Sequence, residues 1–175
     1  MDFSSRYHSK NQYFVDYIQN EVLPHSLIVQ DETTGGKLYL GGLTVMLSGE
    51  AANLFDHIIS VINKRDLEYF THPDVVDSKK LTHTRFYIED EHSSDIYRIF
   101  DYTSRLINDL LQQGKCVYVH CFMGVSRSST IVLAYLMKYK KLNFQDAIMM
   151  LHAKRKCVNP NYSFRLQLER WKKDN

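Results

Sequence analysis

Cys121 and Arg127, with five residues between them, lie between an apolar run, Cys116 to Val119, and a helix-like run, Ser128 to Tyr139. Strand, tight loop and helix in that order make an anion cradle. A helix N-terminus carries backbone N–H groups without internal partners and the positive end of the helix dipole, so a loop curling into it can wrap a phosphate. The same field favours thiolate over thiol, and the thiolate is the nucleophile, which makes Cys121 a candidate for covalent catalysis. Arg127 can close the cradle, since its planar fork can hold two phosphate oxygens at once. Gly124, in mid-loop, lets the backbone turn and approach a ligand. His120, Ser126 and Ser128 can supply hydrogen bonds to the loop and the sulfur, and each bond to the charged form lowers the thiol pKa further.

Together His120, Cys121, Gly124, Ser126, Arg127 and Ser128 fill a run HCxxGxSRS, which resembles the signature of the cysteine-dependent dual-specificity protein phosphatases. The resemblance implies an α/β fold with a central, mostly parallel sheet of about five strands flanked by helices. It implies that Cys121 attacks phosphorus, that the backbone of Phe122, Met123, Gly124, Val125, Ser126 and Arg127 binds the phosphate oxygens, and that Ser128 hydrogen-bonds the sulfur. The family's general acid is an aspartate on the loop after the preceding strand. The pattern places it on Asp90, with Glu89 and Glu91 as competitors. A departing ester oxygen needs a proton, which is why such a group is required.

The implied substrate is a phosphorylated protein bearing phosphotyrosine or phosphoserine/phosphothreonine, and the implied chemistry needs no cofactor and no metal. Two other readings keep the cradle. One is the same fold acting on RNA 5′-triphosphate ends or phosphoinositides, although Phe122, Met123 and Val125 are apolar where lipid-phosphatase loops tend to carry lysine. The other is a non-catalytic module that binds phosphorylated partners. Such relatives usually lose the Cys, the Arg or the acid, and all three are present here.

The elements that must position these residues follow from periodicity. Leu38-Tyr39-Leu40 between glycine pairs reads as a short strand and resembles the family's LYLG-like opening strand. Ser48 to Phe55 suits a helix capped by Ser48, Ile58 to Ile62 a buried strand, and Leu81 to Ile88 a further strand leading into the acidic loop. The stretch Asn63 to Lys80, broken at Pro73, reads as irregular. Asp95 to Leu111 has helical spacing and ends at Gly114, with Ser94 and Asp95 as candidate caps. Ser128 to Tyr139 is an apolar, deeply buried helix, and two more follow, Asn143 to about Lys154 and Tyr162 to about Lys172. Between these two, NPNYSFRLQL resembles the family's PNxGFxxQL run, with Ser163 in place of glycine. Lys154-Arg155-Lys156 reads as a charged helix end favoured by the dipole, able to steer acidic partners.

At the N-terminus, Tyr13, Phe14, Tyr17, Ile18 and Val22 give residues 1–26 one apolar helical face, ended by Pro24. That accessory helix is expected to pack on the catalytic domain, residues 27–175, or else to form a homodimer with a second copy.

A chain of 175 residues is the size of one domain. Its net charge of +2 is too small to argue for nucleic acid, and no apolar run approaches the length of a membrane span. The N-terminus lacks the layout of a secretory signal, and Asp2 stands where myristoylation requires glycine. Three cysteines without paired spacing fit a reducing, cytoplasmic or nuclear compartment. Cys116 and Cys157 read as core residues.

Overall fold

The computed structural model describes residues 23–66 and 81–174. Five strands form one sheet: β1 His25–Gln30, β2 Lys37–Gly41, β3 His57–Ile62, β4 Thr82–Tyr87 and β5 Cys116–His120. Their spatial order is β1-β2-β5-β3-β4, with β1 antiparallel to β2 and every other pairing parallel. This is the mostly parallel sheet expected from the sequence.

A parallel strand buried on both faces has to be apolar on both, and the central strands obey this. Leu38, Leu40, Ile59, Val61, Val117 and Val119 face one core, shared with the long helices. Tyr39, Ile58 and Tyr118 face a second, smaller core. The long helices are α3 Phe100–Gln112, α4 Arg127–Tyr139, α5 Phe144–Lys154 and α6 Tyr162–Asp174, and the two short ones are α1 Thr44–Leu47 and α2 Ala51–Leu54. Helix α4 is buried from Arg127 through Met137. A helix apolar nearly all round belongs in the interior, and burying α4 there fixes the end of the cradle.

Several boundaries differ from expectation. The helix expected over Ser48 to Phe55 is confined to α2, Ala51–Leu54, and a separate short helix, α1, precedes it at Thr44–Leu47; Gly49, left-handed with φ 75°, lies between the two. Ser48 closes the first instead of capping the second: its N–H donates to Thr44 O and its hydroxyl to Val45 O. The helix expected from Asp95 begins as a 3-10 turn, Tyr97–Ile99, before α3, and Gly114, with φ 74°, follows its end. Asn143 caps α5 by accepting from Asp146 N. Strand β1 is an addition the periodicity did not reveal, and it starts inside the segment assigned to the accessory helix. Residues 1–22, with their aromatic face and the expected homodimer contact, and residues 67–80 of the irregular stretch lie outside the described residues.

Candidate active site

The loop between β5 and α4 holds a thiol under directed N–H groups. Cys121 is 3% exposed, and its Sγ accepts from Gly124 N at 3.3 Å and from Ser128 Oγ at 3.1 Å. Burial alone would raise the thiol pKa. The Arg127 charge, the Ser128 hydroxyl and the backbone N–H groups of Ser128 and Val125 outweigh it, so the thiol sits below its ordinary value.

The amide directions follow from where the carbonyls go. Cys121 O accepts from His120 Nδ1 at 3.0 Å, Phe122 O from Leu43 N at 2.9 Å, and Met123 O from Arg155 Nη2 at 3.2 Å. Gly124 O accepts from Arg155 Nε at 3.0 Å and Val125 O from Asn159 N at 2.8 Å. In a planar trans peptide the C=O and the next N–H point opposite ways. Five carbonyls pinned outward therefore turn the N–H groups of Phe122, Met123, Gly124, Val125 and Ser126 inward. The Gly124 N to Cys121 Sγ bond is a direct instance. Gly124 makes the turn possible: its φ is 68°, and a Cβ there would lie 2.4 Å from Gly41 O.

Arg127 is buried, with Nη1 donating to Asp66 Oδ2 at 3.0 Å and to Ile88 O at 3.2 Å. Its Nε is buried and has no hydrogen-bond partner among the described residues. A buried donor without a partner is costly. An anion at the Nε edge would satisfy it and gain a bidentate, charge-assisted contact.

Asp90 stands at the rim, exposed, and one of its oxygens, Oδ1, accepts from both Ser126 Oγ at 2.7 Å and Asn161 Nδ2 at 2.9 Å. Asn161 N in turn donates to Ser126 Oγ at 3.0 Å. Of the three acidic loop residues, this network engages Asp90 and leaves Glu89 and Glu91 outside. Ser126 thus serves Asp90, not the sulfur, while Ser128 meets the sulfur as expected. Phe122, Met123 and Val125 are all partly exposed around the loop.

Three residues of the site escaped the sequence reading. Asp66 lay in the stretch read as irregular. Asn161 sat in the quoted NPNYSF run without a role. Arg155, read as part of an exposed charged helix end, is 2% exposed and also donates to Leu23 O at 2.7 Å. Steering of partners by Arg155 is therefore excluded by its burial, and its guanidinium fastens the loop instead. All three cysteines are free. Burial raises the Cys157 pKa, the opposite of Cys121.

A five-stranded sheet with a phosphate-loop geometry at the C-terminal end of β5 defines a class of cysteine-centred anion-binding folds. Within it, the family described as "Dual specificity phosphatase, catalytic domain" matches residues 38–174, and the chain belongs to that family. It is 35% identical over 118 residues to the tyrosine-protein phosphatase MSG5 of Saccharomyces cerevisiae, covering 67% of this chain and 23% of that protein. A human tyrosine phosphatase-like serine/threonine/tyrosine-interacting protein has a similar structure, with a TM-score of 0.69, 28% identity and coverage of 78% of this chain and 91% of that one. DUSP15 is also similar, with a TM-score of 0.64, 32% identity and coverage of 77% and 82%. The chain spans less than two thirds of the length of curated relatives it matches, 17%, 61% and 23% for three of them. Among the described residues no helix is long and apolar enough to cross a membrane.

Proposed function

We propose that this chain is a protein phosphatase that hydrolyses phosphotyrosine and phosphoserine/phosphothreonine through a phosphocysteine intermediate. The observation that carries the proposal is the outward pinning of five successive loop carbonyls around a thiol of lowered pKa. Inward N–H groups hold three equatorial oxygens where transition-state charge is spread, and such preorganised positioning supplies most phosphoryl-transfer catalysis.

In the first step the Cys121 sulfur bonds to phosphorus as the ester P–O bond breaks, and Asp90 gives its proton to the departing oxygen. Asp90 Oδ1 is occupied by two donors, so Oδ2 is the oxygen that carries the proton. In the second step Asp90 takes a proton from water, whose oxygen bonds to phosphorus as the P–S bond breaks. Ser128 donates to the departing thiolate. Arg127 holds two oxygens through its Nε edge in both steps.

The test is a panel of phosphotyrosine, phosphoserine and phosphothreonine peptides, phosphoinositides and triphosphate-ended RNA, each run with the intact chain and with Cys121→Ser. Turnover of phosphopeptides that Cys121→Ser abolishes is the expected result. Turnover confined to lipid or RNA would redirect the substrate assignment, and binding without turnover would make the chain a phosphate-recognition module.

A further inference from the structure

The small-core face of the sheet carries a polar chain that runs across three strands and ends at the nucleophile. His83 on β4, Ser60 on β3 and His120 on β5 are joined by two short contacts: His83 Nε2 to Ser60 Oγ at 2.6 Å, and Ser60 Oγ to His120 Nε2 at 2.5 Å. His120 Nδ1 lies 3.0 Å from Cys121 O. Ser60 and His120 are both fully buried. Neighbouring strands place the residues: Ser60 is in register with His120, and Ile58, two residues away on the same face, with His83.

The proton on each nitrogen can be deduced. A carbonyl oxygen only accepts, so His120 Nδ1 carries hydrogen and donates to Cys121 O. Burial above all, together with the charges of Arg85 on β4 and Arg127 on α4, pushes the His120 pKa down to about 3, although its bond to Cys121 O acts the other way. The ring is therefore neutral, and a neutral imidazole has a single N–H. His120 Nε2 is thus bare and accepts the Ser60 hydroxyl proton. That proton is then spent, so the remaining contact has His83 Nε2–H donating to Ser60 Oγ. Burial, with Arg85 and His57 nearby, takes the His83 pKa down to about 4, so His83 is neutral too. Every link is satisfied in one direction only.

We propose that Ser60 and His83 are positioning residues that lock His120 in its Nδ1–H tautomer, and through the Cys121 carbonyl aim the Phe122 N–H into the cradle and hold the thiolate. The proposal rests on reading Cys121 as the nucleophile. Without Ser60, His120 Nε2 loses a donor that keeps it bare, which weakens the hold on the Nδ1–H tautomer and on Cys121 O. The Cys121–Phe122 peptide is then freer to rotate, and the sulfur loses field. Arg127 and Ser128 still act on it, so the loss is partial.

The test is the pH dependence of Cys121 alkylation by iodoacetamide in the intact chain, followed by mass, which needs no phosphate substrate. Ser60→Ala and His83→Leu are each expected to move the thiol titration to higher pH, slowing alkylation near pH 6 by about tenfold, the equivalent of one pKa unit. His83→Gln should restore it, because the amide nitrogen of glutamine stands where Nε2 stood and donates the same bond. Folded Ser60→Ala and His83→Leu chains with an unmoved titration would overturn the proposal, as would His83→Gln behaving like His83→Leu. A measurement without substitution decides it independently. Long-range ¹H–¹⁵N spectra of the unmodified chain should show His120 protonated at Nδ1 and His83 at Nε2, and either ring in the other tautomer contradicts the chain of bonds. Since neither readout involves hydrolysis, a chain that passes these tests but turns over no phosphate ester would contradict the phosphatase reading alone.

Discussion

Asp66 Oδ2 and Arg127 Nη1 meet at 3.0 Å in a pair whose side chains are 3% and 6% exposed. Asp66 is itself clamped: its Oδ2 accepts from Asn63 N, and its N–H donates to Asn63 Oδ1. Arg127 is therefore gripped at one end of its fork, and the Nε edge is left for an anion. Removing one partner of a buried pair costs about 3–5 kcal/mol, because the other charge is stranded. Asp66→Ala should lower stability by about that amount in urea denaturation and weaken phosphate competition. Unchanged stability would mean that the pair makes no net contribution.

Asp90 should reveal its role through the leaving group. General acids contribute about 10²–10⁴-fold, and the benefit is greatest where the departing oxygen is most basic. Asp90→Ala is expected to slow phosphoserine peptides far more than activated aryl phosphates, and Asn161→Ala to do so in the same direction but less. Equal losses on both substrate types would move the role to Glu89 or Glu91.

Arg155 makes a structural prediction. Its replacement by Met leaves Gly124 O, Met123 O and Leu23 O without their donor. The bond to Gly124 O is buried, and orphaning that carbonyl costs roughly 1–3 kcal/mol; the bonds to Met123 O and Leu23 O are only partly buried and cost less. Arg155→Met should lower the unfolding midpoint and also weaken vanadate inhibition, since the loop amides lose their aim. Loss of stability with an unaltered inhibition constant would mean that Arg155 supports the fold without shaping the cradle.

Acid stability depends on the buried histidines. His83 and His120 have folded pKa values of about 4 and about 3 against an ordinary 6.5. Between those limits the unfolded chain binds protons that the native chain does not, so stability rises with pH and is lost as pH falls below 6.5. Each histidine contributes a slope of roughly 1.4 kcal/mol per pH unit within its window. Urea midpoints measured from pH 7 to pH 4.5 should fall steeply, and His83→Gln should remove part of that slope. A flat dependence would show that these rings are protonated in the native state.

The legible parts of this fold were those written locally. The apolar runs of β3 and β5, the helix after Arg127 and the helix that starts next to Asn143 depend on neighbours in sequence, and all appear where periodicity puts them. Gly49 was visible too, but its left-handed turn confines to Ala51–Leu54 a helix expected to run from Ser48. Arg155 was illegible because its burial is a tertiary fact: its acceptors lie at Leu23, Met123 and Gly124, far away in the chain. Asp66 and Asn161 were hidden similarly, each a polar residue among polar residues until folding brings it to Arg127 or Asp90. Strand β1 pairs only at the sheet's antiparallel edge, and its sequence HSLIVQ, beside Pro24, carries no strong alternation.

The central claim is that the sulfur of Cys121 takes the phosphoryl group, and acid quenching during turnover of a phosphotyrosine peptide tests it most directly. Peptide mapping of the quenched chain should find the mass of one phosphoryl group on Cys121, absent in Cys121→Ser. Hydrolysis that proceeds with no phosphate on Cys121, or with phosphate on another residue, would contradict the account.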